Sequence, residues 1–202
     1  MIGDGGAISI ANALETNQSL TRLNLNNNKV RSKGAIALAN CLKVNSNSLS
    51  QLLLYKNNIQ DKGAIAFAGL LSTRTTNNNC SCSELCVLDL GKNGIGNLGA
   101  IALARALRKN VFLEILGLGG NNRLGNAGAC ALANTLKVNK TLSAMYLDGE
   151  NKIGNHGALL LSGAFEMNSA LRHFQLSPGS CDAWLIRYIE SSLEQQERRR
   201  MR

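Results

Sequence analysis

The sequence predicts an α/β solenoid: a right-handed coil of repeats, with parallel strands on its concave face and helices on its convex face. Three observations predict it. The first is a recurring pattern. Leu20-x-x-Leu23-x-Leu25-x-x-Asn28-x-Val30 returns as Leu49, Leu52, Leu54, Asn57, Ile59 and again as Leu85, Leu88, Leu90, Asn93, Ile95. Looser copies begin at Leu113, Leu142 and Leu171, so the starts lie 29, 36, 28, 29 and 29 residues apart. Self-similarity at such a period marks stacked repeats rather than one globular core. The second is a change of periodicity inside each repeat, from strand-like to helix-like. The third is composition: 20 Gly, a single Pro and 4% aromatics suit a thin core of Leu, Ile and Ala with recurrent tight turns.

Each element has a local reason. In Arg22-Leu23-Asn24-Leu25-Asn26 apolar and polar residues alternate, which is strand periodicity, with Leu23 and Leu25 inward. Asn28 falls where the chain leaves the strand, and its amide can bond the backbone groups that a buried turn must satisfy. Ala35, Leu38, Ala39 and Leu42 then follow at i, i+3, i+4, i+7, one face of a helix. The same face recurs from Ala64, Ala100, Ala129 and Ala158, and once upstream as Ala7, Ile10, Ala11, Leu14, giving six repeat helices. Three residues before each face stand Asp4, Ser32, Asp61, Asn97, Asn126 and Asn155. All are types that cap helix N-termini. The Gly before each leading Ala implies close approach, expected between the helix start and its neighbouring turn. Asn17, Asn45, Asn110, Asn139 and Asn168 follow each face by three residues and are expected to end the helices in the left-handed conformation.

Together these spell Leu-x-x-Leu-x-Leu-x-x-Asn-x-Ile, then Asp/Asn-x-Gly-Ala-x-x-Leu-Ala-x-x-Leu. Over residues 2 to about 177 this resembles the ribonuclease-inhibitor-type leucine-rich repeats, by unit length and by the Gly-Ala-x-x-Leu-Ala helix. Relatives of that type include ribonuclease inhibitor, the sensing domains of NOD-like receptors, the Ran GTPase-activating protein and many scaffolds. The resemblance implies a non-enzymatic, protein-binding horseshoe, a scaffold or a sensing module; fold alone does not choose the partner. Ribonuclease inhibitor is acidic, whereas this chain is basic. The second reading is a GTPase activator of the Ran type. That relative carries a strongly acidic tail where this chain ends Glu197-Arg-Arg-Arg-Met-Arg, and no contact loop can be matched residue by residue.

Residues 1–177 form the array: one half repeat, five repeats and the start of a seventh unit. Residues 178–202 are read as a C-terminal capping helix and basic tail. After Leu176 the pattern stops, Ser177-Pro-Gly-Ser breaks the chain, and Trp184, Leu185, Tyr188, Ile189 and Leu193 return at helical spacing to cover the last repeat. At the other end the pattern opens mid-repeat without a strand. Leu20's strand is therefore expected at an exposed edge, a place for self-association, and Met1 is expected to mark a fragment, a truncated gene model or an end that a partner covers.

The net charge is +9, and residues 194–202 supply only +2 of it. A basic body favours an acidic protein partner through long-range attraction; nucleic acid is a weaker third reading. No apolar run approaches the length of a membrane span, and no charged, then apolar leader opens the chain, so a cytoplasmic or nuclear location is expected. Cys41, Cys86 and Cys130 read as small buried thiols. Cys80-x-Cys82-x-x-x-Cys86 lacks a zinc spacing and a nearby His. With no phosphate loop and no nucleophile–base spacing, the sequence predicts no catalytic residues, no metal ligands and no cofactor.

Function must then lie in the letters that change. Outward strand positions give the candidate partner surface: Arg22, Asn24, Asn26, Gln51, Leu53, Tyr55, Val87, Asp89, Ile115, Tyr146, Asp148, His173 and Gln175. Leu53, Tyr55, Val87, Ile115 and Tyr146 are apolar or aromatic where water is otherwise expected, and Tyr is a favoured anchor. Gly91, Gly117 and Gly119 are expected to leave a shallow floor open to a partner. Two repeats carry one extra residue after the strand, which counting back from Leu124 and Ile153 makes Asn122 and Asn151 the turn asparagines and raises a lip on one rim. The loop at 72–84 falls on the opposite rim.

Overall fold

The computed structural model describes residues 1–44, 48–73, 85–121, 123–176 and 181–200. The elements alternate without exception: α1 (Asp4–Leu14), β1 (Arg22–Asn24), α2 (Ser32–Val44), β2 (Gln51–Leu53), α3 (Gln60–Ser72), β3 (Val87–Asp89), α4 (Asn97–Leu107), β4 (Ile115–Gly117), α5 (Asn126–Leu136), β5 (Ala144–Leu147), α6 (Asn155–Met167), β6 (His173–Leu176) and α7 (Ala183–Arg200). The strands form one parallel sheet in chain order, β1 to β6. Successive helices stack on one another behind it. The core lies between the two layers. Leu52, Leu54, Leu88, Leu90, Leu116 and Leu118 fill it from the strands, and Ala64, Phe67, Ala100, Leu103, Ala129 and Leu132 from the helices. The apolar helix faces read from the sequence are buried throughout; Ile10, in α1, is half-buried.

The strands are three or four residues long, so the sheet ladder supplies few bonds. Backbone bonds carry the ladder a few residues past the strands, and two columns of asparagine side chains add to it. In the first, Asn57 donates to the carbonyls of Leu25 and Leu54 and accepts the Val30 N–H at 3.0 Å. Asn93 donates to Leu54 and Gly91 and accepts from Ile59. Asn121 donates to Leu90 and Leu118 and accepts the N–H groups of Asn93 and Ile95 at 2.8 and 3.0 Å. Asn151 donates to Leu118 and Leu147. The turn residue of the fourth full repeat is therefore Asn121, not Asn122: the extra residue follows the asparagine there, whereas in the next repeat it precedes Asn151. Asn122 itself lies outside the described residues.

The second column corrects the expected helix ends. Asn168 has φ −96°, and none of Asn17, Asn110, Asn139 and Asn168 is among the left-handed residues. They act by bonding. Asn139 donates to the carbonyls of Leu107 and Asn110, and accepts from the N–H groups of Thr141 and Leu142. Asn168 repeats this on Leu136, Asn139, Ala170 and Leu171. Asn110 bonds Leu71, Phe112 and Leu113. Left-handed residues occur instead just past the strands, at Asn27, Lys56, Lys92, Gly120 and Gly149. Asn45 lies outside the described residues.

The helix starts hold a second correction. Asp4, Asp61, Asn97 and Asn126 do not cap their own helices. Each caps the next one. Asp61 Oδ1 accepts the N–H groups of Gly96 and Gly99 at 2.7 and 2.9 Å. Asp4 serves Arg31 and Gly34, Asn97 serves Gly125 and Gly128, and Asn126 serves Gly154 and Gly157. Asn155 accepts the Asp182 N–H at the entry to α7, and Ser32 donates to the Ile59 carbonyl. The recurrent Gly follows from this geometry. A Cβ on Gly99 would lie 2.8 Å from Asp61 Oδ1 and 2.9 Å from the Ala64 Cβ of the preceding helix. The close approach is thus helix on helix, through the preceding cap.

At the C-terminal end Leu185, Ile186 and Ile189 of α7 are buried, and Phe165 meets Phe174 at 4.4 Å between ring centroids. Trp184, expected in this cap's core, is instead 59% exposed and donates to Asp182. Tyr188 also faces outward and bonds Glu166. Cys41 is buried, while Cys86 and Cys130 are only half-buried. Arg198 and Glu194, 4.0 Å apart and exposed, form the one ion pair among the described residues and contribute little. No helix of the described residues is long and apolar enough to cross a membrane. The 74–84 loop with Cys80 and Cys82, the break at 177–180 and Arg202 lie outside the described residues.

Two predictions follow from the stacking. Asn121→Ala strands two buried N–H groups and should cost about 3 kcal/mol or more, a fall in melting temperature of about 6–12 °C for a chain of this length. Gly99→Ala and Gly69→Ala have the same helix propensity gain, yet a Cβ at Gly69 meets nothing within 4 Å. Gly69→Ala should stabilise by about 0.5–1 kcal/mol, and Gly99→Ala should destabilise by about 1–3 kcal/mol through overpacking. Thermal unfolding of the two variants moving in the same direction would contradict the helix-on-helix account.

Candidate binding groove

Repeat stacking turns outward strand positions into rows. Parallel register aligns Leu53, Asp89, Gly117, Tyr146 and Gln175 across β2 to β6. A second row runs Arg22, Gln51, Val87, Ile115, Ala144 and His173. One step beyond the strands, the N–H groups of Lys56, Lys92 and Gly120 bond the carbonyls of Gly91, Gly119 and Asp148, which sets Tyr55, Gly91, Gly119 and Asp148 into a third.

These rows enclose a groove of about 450 Å³ on the concave face. Of the expected surface residues it gathers Leu53, Tyr55, Val87, Asp89, Ile115, Tyr146, Asp148 and Gln175. It leaves aside Arg22, Asn24, Asn26, Gln51 and His173. Asn24 and Asn26 are engaged near the edge strand: Asn24 accepts the Asn26 N–H, and Asn26 accepts the Tyr55 N–H at 2.8 Å. Lys92 lines the groove and sequence reasoning missed it. Its signal was positional: it stands two residues past the last strand leucine, where φ is +49° and the side chain turns back over the face. Its Nζ sits 5.8 Å from the Tyr55 ring centroid, within cation–π range.

The glycines do not form an open floor. Each makes room for a neighbouring side chain. A Cβ on Gly91 would lie 2.8 Å from the Tyr55 ring, one on Gly119 2.6 Å from Asp148 Oδ1, and one on Gly120 2.6 Å from Lys92 Cγ. A Cβ on Gly117 would lie 2.5 Å from Asp89 Oδ1. Asp89 therefore leans over the glycine strip of β4 from one side, and Asp148 from the other. Asp89 Oδ1 accepts the Gly91 N–H at 3.0 Å. Burial pushes the Asp89 carboxyl above its usual range; the Gly91 bond opposes this, and the charge of Asp148 adds to it. The groove thus offers apolar walls, two aromatic rings and two carboxylates that repel each other. Among the described residues no group of three or more His, Cys, Asp and Glu could hold a metal ion.

A family model described as a leucine-rich repeat matches residues 16–39, 45–68 and 82–104. No curated protein matches the chain by sequence. Among solved structures, the chain is similar to the tropomodulin C-terminal domain of Caenorhabditis elegans, with a TM-score of 0.58, 14% identity, and coverage of 97% of this chain and 94% of that one. It is also similar to actin-binding site 2 of leiomodin-1, with a TM-score of 0.56, 14% identity, and coverage of 96% and 90%. At such identity the likeness concerns fold alone. The chain carries leucine-rich repeats, and its fold is a leucine-rich-repeat solenoid, parallel strands on one face and helices on the other.

Proposed function

We propose that this chain is a protein-binding module that holds its partner in the concave groove, as a scaffold or as the sensing part of a larger receptor of the ribonuclease-inhibitor repeat type. One observation carries the reading: Leu53, Tyr55, Val87, Ile115 and Tyr146 line a groove on a sheet face where polar residues would serve solubility better. Both tyrosines are half-buried, and among the described residues neither hydroxyl has a hydrogen-bond partner. Each is a rigid, amphipathic group with its polar end open, the character of an interface anchor. The leiomodin-1 segment of this fold is an actin-binding site, which supports a protein rather than a small molecule as the occupant. The setting we propose is cytoplasmic. Among the described residues β1 has a strand neighbour on one side only, and the self-association we propose there is a separate, weaker contact.

Partner capture with the intact chain tests this. Tyr55→Ala with Tyr146→Ala should reduce capture by about tenfold or more, since anchor tyrosines contribute about 1–2 kcal/mol each. Melting temperature should hold, because neither ring belongs to the buried core. A double variant that captures its partner as well as the intact chain sinks the concave-face reading.

A further inference from the structure

The groove holds two negative charges and no cation that answers them. Among the described residues neither Asp89 nor Asp148 makes an ion pair, and Asp148 makes no side-chain hydrogen bond. Lys92, the one basic residue in the lining, is turned toward Tyr55. Both carboxylates lean over β4 and its continuation, Asp89 at Gly117 and Asp148 at Gly119, two positions that carry no side chain of their own. Tyr146 and Ile115 line the groove beside that strip, and Tyr55 and Leu53 line its far side. In a free protein this arrangement is unfavourable: like charges are held close, partly out of water. It becomes favourable when one positive group with several donors enters between them.

Resting on the groove as the binding surface, we propose that its occupant is an extended segment of a partner protein that places one arginine or lysine side chain over Gly117 and Gly119, between Asp89 and Asp148. The apolar stem of such a side chain lies along Ile115 and Tyr146, while its charged end meets the two carboxylates. Arginine fits better than lysine, because its planar fork can address two carboxylates at once. The partner segment is thus selected by local charge of the opposite sign from the one that the chain's net charge of +9 attracts.

The test uses the full chain, isotope-labelled, and three blocked heptapeptides of valine and leucine that differ only at the centre: arginine, glutamate or norleucine. The arginine peptide should shift the amide signals of Gly117 and Gly119 and bind about tenfold or more tighter than the other two, the worth of one charge-assisted contact. Asp89→Asn combined with Asp148→Asn should abolish that preference while the chain stays folded. The preference should also fade as pH falls from neutral into the carboxylate range. The charged groups facing Asp89 are Asp148 and Lys92, and burial raises the Asp89 carboxyl, so it takes up its proton before an ordinary carboxylate does. Equal binding of the norleucine or glutamate peptide overturns the proposal, as does a double variant that keeps the arginine preference. So does silence at Gly117 and Gly119 with every peptide, or calcium chloride moving those two signals in the peptide's place. If the tyrosine pair matters for partner capture but the aspartate pair does not, the groove stands as the binding surface and only the cationic occupant fails.

Discussion

Everything in this molecule depends on keeping buried turns satisfied. A solenoid of three- or four-residue strands passes through a turn on either side of every strand and helix, and those turns are stacked against each other rather than exposed to water. An unpaired N–H or carbonyl there costs about as much as a whole interaction elsewhere contributes. The asparagine amide suits this need because it has two donors and an accepting oxygen on a short stem. Asn121 uses all of them at once, bonding Leu90, Leu118, Asn93 and Ile95 while fully buried. Its partners span two repeats, so each amide both closes its own turn and fixes its register on the preceding repeat. The carboxylate and amide caps at the helix starts do the same on the other layer, again reaching across the repeat boundary.

That register is what creates a surface. Once the buried bonds hold every repeat at the same height, outward residues must fall into rows, and a row can mix residues from five strands. A glycine in one repeat then decides how far a side chain of the next can lean. Gly117 and Gly119 let Asp89 and Asp148 converge from opposite sides over β4, a juxtaposition that links residues 59 apart in sequence. The burial and mutual repulsion that raise the Asp89 carboxyl are consequences of stacking, not of any local motif.

The period, the alternating strands and the apolar helix faces were legible because each is a within-repeat property repeated five or six times, so chance departures cancel. What was misread crosses a boundary. The residues Asp4, Asp61, Asn97 and Asn126 have the chemistry of caps, and chemistry alone says nothing about whether the N–H groups belong to their own helix or the next. Counting back from Leu124 chose Asn122, and counting forward from Leu118 would have chosen Asn121; an insertion makes the two disagree, and only the ladder's continuity decides. Trp184 and Tyr188 share the helical spacing of Leu185 and Ile189, yet on α7 Leu185, Ile186 and Ile189 face inward and the two aromatic rings face out. Lys92 was hidden by a left-handed turn that redirects its side chain onto the concave face. In each case the missing information was the neighbour's position, which no single repeat contains.

The charge of the body and the charge of the groove act over different distances, and so they do not conflict. A net +9 spread over the exposed surface is felt by an approaching molecule as a whole, out to about 10 Å in 0.1 M salt, and it draws anionic surfaces in. Within the groove, screening by water is weaker, so for the proposed occupant the two carboxylates over β4 decide what can stay. Long-range attraction governs the rate of encounter, and short-range complementarity governs which segment is held. A partner that is acidic overall but presents one basic side chain on an apolar stretch satisfies both. A uniformly basic partner is slowed before it reaches the groove, and a uniformly acidic one is steered to a site that its contact residues cannot fill.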